Sequence, residues 1–197
     1  MPTGTEIGRS IYGAWRLLLL DPTGVQWFEL SVEAFWRLFF AAALIAPVFV
    51  IVVMIDAGNV LAGASMGAIV LVKGIAYGLS WIAFPIAIIF LCRLLDLTET
   101  YIPYIIALNW SAIVQAAIFF PLALLSTSGA LSAGIAAALT FVVTLGLLFY
   151  QWFIARNVLQ AGPFGAIALV LLDLLPTVFI DRGADALLTS GAVQPSG

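Results

Sequence analysis

The chain has 197 residues, of which 64% are hydrophobic and 9% charged, with a formal charge of −3. That apolar share exceeds what one domain of this length encloses, so the expected solvent for much of its surface is lipid. With no histidine and a single cysteine, Cys92, histidine ligation of haem, chlorophyll or zinc, a histidine general base and an internal disulfide are all excluded, and no basic stripe is present to hold nucleic acid.

Residues 1–36 read as a cytoplasmic interfacial region. The start, MPTGTEIGRS, lacks the basic end and apolar core of a cleaved signal, so the first span is expected to direct insertion. Ile7, Ile11, Trp15 and Leu18 recur at helical spacing, while Glu6, Arg9, Ser10, Gly13 and Arg16 fill the other side. Such an amphipathic helix is expected to lie flat in the headgroup layer, with Ile7, Ile11, Trp15, Arg9 and Arg16 as its interfacial anchor. It reads either as a topological anchor or as a sensor of lipid or partner. Asp21-Pro22-Thr23-Gly24 breaks it, and a second helix is expected from near Val25 into the first span, with Glu33 and Arg37 at a supportive spacing.

The fold class follows from what comes next: an all-α, polytopic transmembrane bundle over residues 37–180. Five stretches reach the roughly 20 apolar residues that a helical crossing needs. They run from Arg37 to Ile55, Met66 to Cys92, Ile102 to Leu125, Leu131 to Ala155 and Pro163 to Ile180, with breakers in DAGNVLAGAS, DLTET, STSG and NVLQAGP between them. The third and fourth are expected to form an antiparallel hairpin. If the spans alternate, Arg9, Arg16, Arg37, Arg93 and Arg156 fall on one side and Arg182 alone on the other. This bias puts the amino terminus in the cytoplasm and the carboxyl terminus outside, across the cell membrane (the inner membrane of a bacterium). Residues 181–197, ending in VQPSG, are expected to be a disordered polar tail, or else to extend the last helix by a turn over Ala184 to Leu188. Aromatic side chains such as Trp36, Tyr101, Tyr104, Trp110, Tyr150 and Trp152 gather near the inner boundary as an interfacial belt, whereas Trp81 falls in mid-span.

Polar groups at membrane depth are where function is sought. Lys73 in the second span and Asp173 in the fifth are counted at the same depth from the outer surface, so they are expected to pair or to share a water cluster. Each costs about 2.5–3.5 kcal/mol to insert at the bilayer centre. They read as a proton or ion relay, or as a pair that fixes packing. Asn109, Ser111 and Gln115 on the third span and Gln151 on the fourth are amide and hydroxyl groups for interhelical bonding, or the wall of a polar cavity. Gly74 and Gly78 form a GxxxG pattern, and Ala133 and Ala137 repeat small residues at that spacing, which suits close helix packing within the bundle or in a dimer. Pro47, Pro85, Pro121 and Pro176 interrupt their spans.

The sequence has no phosphate-binding glycine loop, no zinc spacing and no metal-binding acid pair, and no base accompanies its serines, so no catalytic residue, metal or cofactor is expected and the chain is read as a non-enzyme. The run RLLLLDPTGVQWFEL, an interfacial stretch leading through proline and tryptophan into the first span, resembles the beginning of bacterial members of the Yip family. That resemblance implies five spans, a cytoplasmic amino terminus and, in eukaryotic relatives, contact with Rab GTPases. The eukaryotic signature DLYGP is absent; DLTETY at Asp96 to Tyr101 is the nearest string, so no functional residue is carried over. The expected role is a membrane-organising or accessory subunit whose partners are the lipid bilayer and other membrane proteins or a second copy of itself. The alternative is a small transporter or channel using Lys73 and Asp173.

Overall fold

The protein was analysed as a computed structural model, which describes residues 3–31, 33, 39–59 and 64–192. Among these the regular structure is helical. Helix α1 spans Gly4–Leu18 and a 3-10 turn covers Pro22–Trp27; α2 spans Phe39–Asn59, α3 Met66–Leu94, α4 Tyr101–Thr127, α5 Ala133–Asn157 and α6 Pro163–Ala192. Trp36 and Arg37, at the expected start of the first span, lie outside the described residues, as do residues 193–197.

The helix starts are set by polar caps. Thr3 accepts from the Glu6 backbone N–H and Glu6 returns a bond to the Thr3 N–H at 2.6 Å, a reciprocal box that satisfies two free donors. Ser65 and Ser132 cap α3 and α5 in the same way, accepting from Ala68 and Ile135. Between caps the sequences are almost unbroken apolar runs. Four helices are long and apolar enough to cross a membrane: α3, α4 with the turn before it, α5 and α6. Helix α2 adds a shorter apolar stretch, Phe40–Ile55, which at 1.5 Å per residue rises about 24 Å.

Helix α4 is central, packing against α1, α2 and α5, while α3 and α6 pair along their lengths and α6 also meets α5. The main core lies at one end of the bundle, where Ile88, Cys92, Tyr104, Ile105, Ile154, Leu159 and Leu169 close around Ala14 and Leu17 of α1. At the far end Val53 and Ala57 of α2 pack with Ile69 of α3 and Leu188 of α6. The helices therefore alternate in direction, and α1 and the end of α6 sit at opposite ends.

Three expectations change. The last helix does not stop at Ile180: it continues to Ala192, so residues 181–192 are helix and not a disordered tail. The reason is that Ala184 and Leu188 are buried, which gives that stretch an apolar face to pack. In place of a helix starting near Val25, Pro22–Trp27 forms a 3-10 turn that leaves Phe28 extended. Finally, the buried face of α1 is Ser10, Gly13, Ala14 and Leu17. Ile7 and Ile11 are half-buried against the core, whereas Tyr12 and Trp15 point outward.

That small-residue face allows close approach. A Cβ on Gly13 would stand 2.7 Å from the Gly24 carbonyl oxygen, and one on Gly24 would stand 2.5 Å from that of Gly13. Next to this contact, the Tyr150 hydroxyl donates to the Ala14 carbonyl at 2.7 Å and lies 2.7 Å from Ser111 Oγ. A phenol carries one proton, so the Ser111 hydroxyl is the natural donor of the second bond. Tyr150 is 1% exposed and Ser111 0%, which makes both bonds inaccessible to water. Tyr150→Phe removes both buried bonds and leaves the Ser111 hydroxyl without this partner, which is expected to cost about 1–3 kcal/mol. Gly13→Ala and Gly24→Ala are expected to push α1 and the Pro22–Trp27 turn apart, read as faster proteolysis of the amino-terminal segment in detergent.

Candidate functional site

Halfway along the bundle, four helices turn polar side chains toward a shared space. Leu108, Asn109, Ala112 and Gln115 follow one stripe of α4, at helical spacing, and Ser80, Trp81, Phe84 and Pro85 follow one stripe of α3. With Gln151 of α5 and Asp173 of α6 they enclose a cavity of about 250 Å³. The Gln151 amide nitrogen donates to Asp173 Oδ2 at 2.9 Å and to Gln115 Oε1 at 3.3 Å, so one side chain ties three helices together. Its own Oε1 is buried and has no hydrogen-bond partner. The Asn109 amide donates to the Ile105 carbonyl of its own helix at 2.8 Å, and the Ser80 hydroxyl donates to the Tyr77 carbonyl at 2.8 Å. A second cavity of about 270 Å³ lies beyond the Gln115–Gln151 bond, walled by apolar groups including Phe119, Leu148 and Leu174.

Lys73 lies elsewhere. Its ammonium, in a residue 6% exposed, meets Asp181 at 2.6 Å and Asp185 at 2.8 Å, not Asp173 as the depth count implied. The count assumed that the last helix ends at Ile180. Because α6 continues, two acids four residues apart lie on one face opposite Lys73, and Asp173 falls deeper, beside Gln151. Lys73, Tyr77, Ser80 and Asp181 line a separate cavity of about 200 Å³, so Ser80 borders both polar spaces. Nearby, the Tyr77 hydroxyl donates to the Ala42 carbonyl of α2 at 2.7 Å.

The structure thus gathers Asn109, Gln115, Gln151 and Asp173 from the expected polar set and separates Lys73 from them. Asp181 and Asp185 were not foreseen as partners; their i, i+4 spacing after an apolar run was the available signal. Trp81 stood out in the sequence by its mid-span position, whereas Ser80 is marked only by its place one turn before Phe84. The small-residue candidates do not pack inside the described chain. Gly74 and Gly78 have no atom within 4 Å of an added Cβ, and Ala133 and Ala137 are exposed. Of the interfacial anchor, Arg9 is exposed and Arg16 is bound to Asp21, its Nε donating to Oδ2 at 2.7 Å. No family model matches the chain, and neither a curated protein nor a solved structure does.

Outside the spans the Asp21 carboxyl is shifted by its neighbours. Asp21 accepts from the Thr23 hydroxyl at 2.7 Å and the Thr23 N–H at 2.9 Å, and pairs with Arg16. The Thr23 hydroxyl bond, then Arg16, holds its carboxyl below the usual carboxylate range. A carboxylate with a lowered folded pKa adds stability above its unfolded pKa, near 3.9, and loses it as pH falls through the folded value. Closure of the α1 turn is therefore expected to be constant from pH 7 to about 4 and to weaken below that. Asp21→Asn is expected to remove this acid dependence, read by proteolysis of the amino-terminal segment against pH. For Lys73, Asp181→Asn or Asp185→Asn alone leaves one carboxylate in place. The double replacement strands the ammonium and is expected to destabilise by about 1–3 kcal/mol, given the partial exposure of both acids. A double-mutant cycle of Lys73 with Asp173 is expected to show no coupling.

Proposed function

We propose that this chain is a non-catalytic, multi-pass protein of the cell membrane (the inner membrane of a bacterium) that organises the membrane as an accessory subunit, binding lipids and other membrane proteins. In this reading α2 is a fifth crossing, the amino terminus is cytoplasmic and the carboxyl terminus is outside, as in Yip-like proteins. The alternation of helix direction and the arginines at the α1 end support that topology.

The observation that carries the reading is the posture of α1. Its back is bonded into the bundle through Ala14, while Tyr12, Trp15, Leu19 and Leu20 stay exposed beside Arg9. Aromatic and aliphatic groups flanked by arginine suit a headgroup layer. The open Gly74 and Gly78 face of α3 suits close approach by a helix of another membrane protein.

Affinity purification of tagged protein in mild detergent tests this. A stoichiometric membrane partner is expected, and it is expected to be lost on Gly74→Leu with Gly78→Leu, changes the bundle itself accommodates. A lone, monodisperse species that carries ion flux in liposomes would favour the second reading, a small transporter or channel. That reading is supported by the polar cavity at Asp173, with Lys73 and Asp173 acting as separate stations bordered by Ser80.

A further inference from the structure

The geometry points to a one-sided aqueous vestibule: the two cavities bordered by Ser80 form one polar space that water and small hydrophilic solutes enter at the Lys73 end, and that stops at Asp173, closed toward α1. The inference rests on the chain crossing a membrane and is independent of the accessory role.

Two helices line the route. On α3, Lys73, Tyr77, Ser80, Trp81 and Phe84 recur at helical spacing, so a single face carries the lining of both cavities. Helix α6, packed along α3, supplies Asp181 to the cavity at Lys73 and Asp173, about two turns away, to the inner one. Ser80, at the junction, stands about 10 Å along the helix axis from Lys73.

Groups along this route keep bonding capacity for water. The Lys73 ammonium has three N–H groups, of which Asp181 and Asp185 take two. Asn109 and Ser80 spend their donors on carbonyls of their own helices, which leaves their oxygens to accept. Pro85 has no N–H, so the Trp81 carbonyl lacks its helical donor beside the same space, and in membrane helices water or a neighbouring group satisfies such carbonyls. Cavities of about 200 Å³ and about 250 Å³ each hold several waters, at ~30 Å³ apiece. Inserting an acid at this depth costs about 2.5–3.5 kcal/mol, which a wet wall lowers.

The two ends of the route differ. Toward α1 each wall becomes apolar within one turn: Ile88 follows Pro85, Ile105 precedes Asn109, Ile154 follows Gln151 and Leu169 precedes Asp173, and all four are fully buried. At the other end the apolar cluster of Val53, Ala57, Ile69 and Leu188 leaves the Asp181 side chain 63% and that of Asp185 39% exposed. Ionised carboxylates hold water rather than lipid around them. The mouth therefore lies at Asp181, which also lines the first cavity.

Thiol accessibility in sealed proteoliposomes tests the vestibule, with a membrane-impermeant cationic methanethiosulfonate as the probe. Wild-type protein, whose one thiol is the buried Cys92, is the blank. Ser190→Cys and Thr98→Cys mark the two ends of the bundle. Ser80→Cys is expected to be modified from the Ser190 side at least about tenfold faster than Leu79→Cys, because only a hydrated thiol ionises and reacts. Leu79 is the neighbour of Ser80 on the exposed, lipid-facing side of α3. No modification is expected from the Thr98 side. Should Ser80→Cys not fold, Ala112→Cys on the α4 wall carries the same comparison. A folded variant that reacts no faster than Leu79→Cys overturns the vestibule, and modification from the Thr98 side overturns its closure. End markers that react from one and the same side would refute the membrane crossing, and the vestibule with it.

Discussion

Hydrocarbon offers no hydrogen bonds, so a polar side chain on a helix that faces it must find its partner inside the protein. The order of helices in this bundle follows from that constraint. Apolar contact alone does not select neighbours when every helix is apolar nearly all round, because lipid tails are as good a solvent as another leucine. Directional bonds do select. Tyr77 reaches the Ala42 carbonyl and ties α3 to α2; Tyr101 reaches the Pro85 carbonyl and ties α4 to α3; Tyr150 ties α5 to both α1 and α4. Lys73 fixes α3 against α6, and Gln151 links α5 to α4 and α6. Each helix that carries such a group meets a specific neighbour at a specific height.

Those bonds divide the molecule along its length. At the α1 end the polar groups sit within a dense core of large side chains, and α1 is seated where Gly13 and Gly24 let two backbones touch. At the far end the apolar cluster is small, and Lys73 with two acids takes over the role of pairing α3 and α6. The middle belongs to neither cluster. There the side chains are amides and a carboxylate whose bonds span three helices but do not fill the space between them.

Much of this was legible in the sequence, for reasons that differ by element. The starts of α3 to α6 follow from serine caps, breakers and proline, all local signals, and they fall close to where hydropathy places them. The end of α6 was misplaced because Asp181, Arg182 and Asp185 read as a water boundary, whereas two of them serve a lysine on another helix. That one error moved the assumed depth scale and with it the partner of Lys73. Asn109 and Gln151 border one cavity, on helices whose ends near the α1 side lie close to where hydropathy places them. The buried face of α1 was hidden for a different reason. Ser10, Gly13 and Ala14 carry little hydropathy, so periodicity points to Ile7, Ile11 and Trp15 instead, and only the geometry of close approach reveals the smaller residues as the contact.

Small residues illustrate how far a pattern reaches. Gly13 opposite Gly24 and Gly74 above Gly78 both present a backbone without side chains, yet the first pair is filled to within 3 Å and the second stands open. The difference lies in what is anchored nearby. Gly24 lies in the turn that follows α1, tied back by the bond from Arg16 to Asp21, so a directional bond brings the second backbone into range and dispersion then rewards the contact. Gly74 is adjacent to Lys73, but about 100° round the helix from it, so the ammonium draws α6 to another face of α3 and leaves the glycine face outward. A glycine pair permits close packing; a neighbouring polar bond decides whether the partner comes from the same chain or from another.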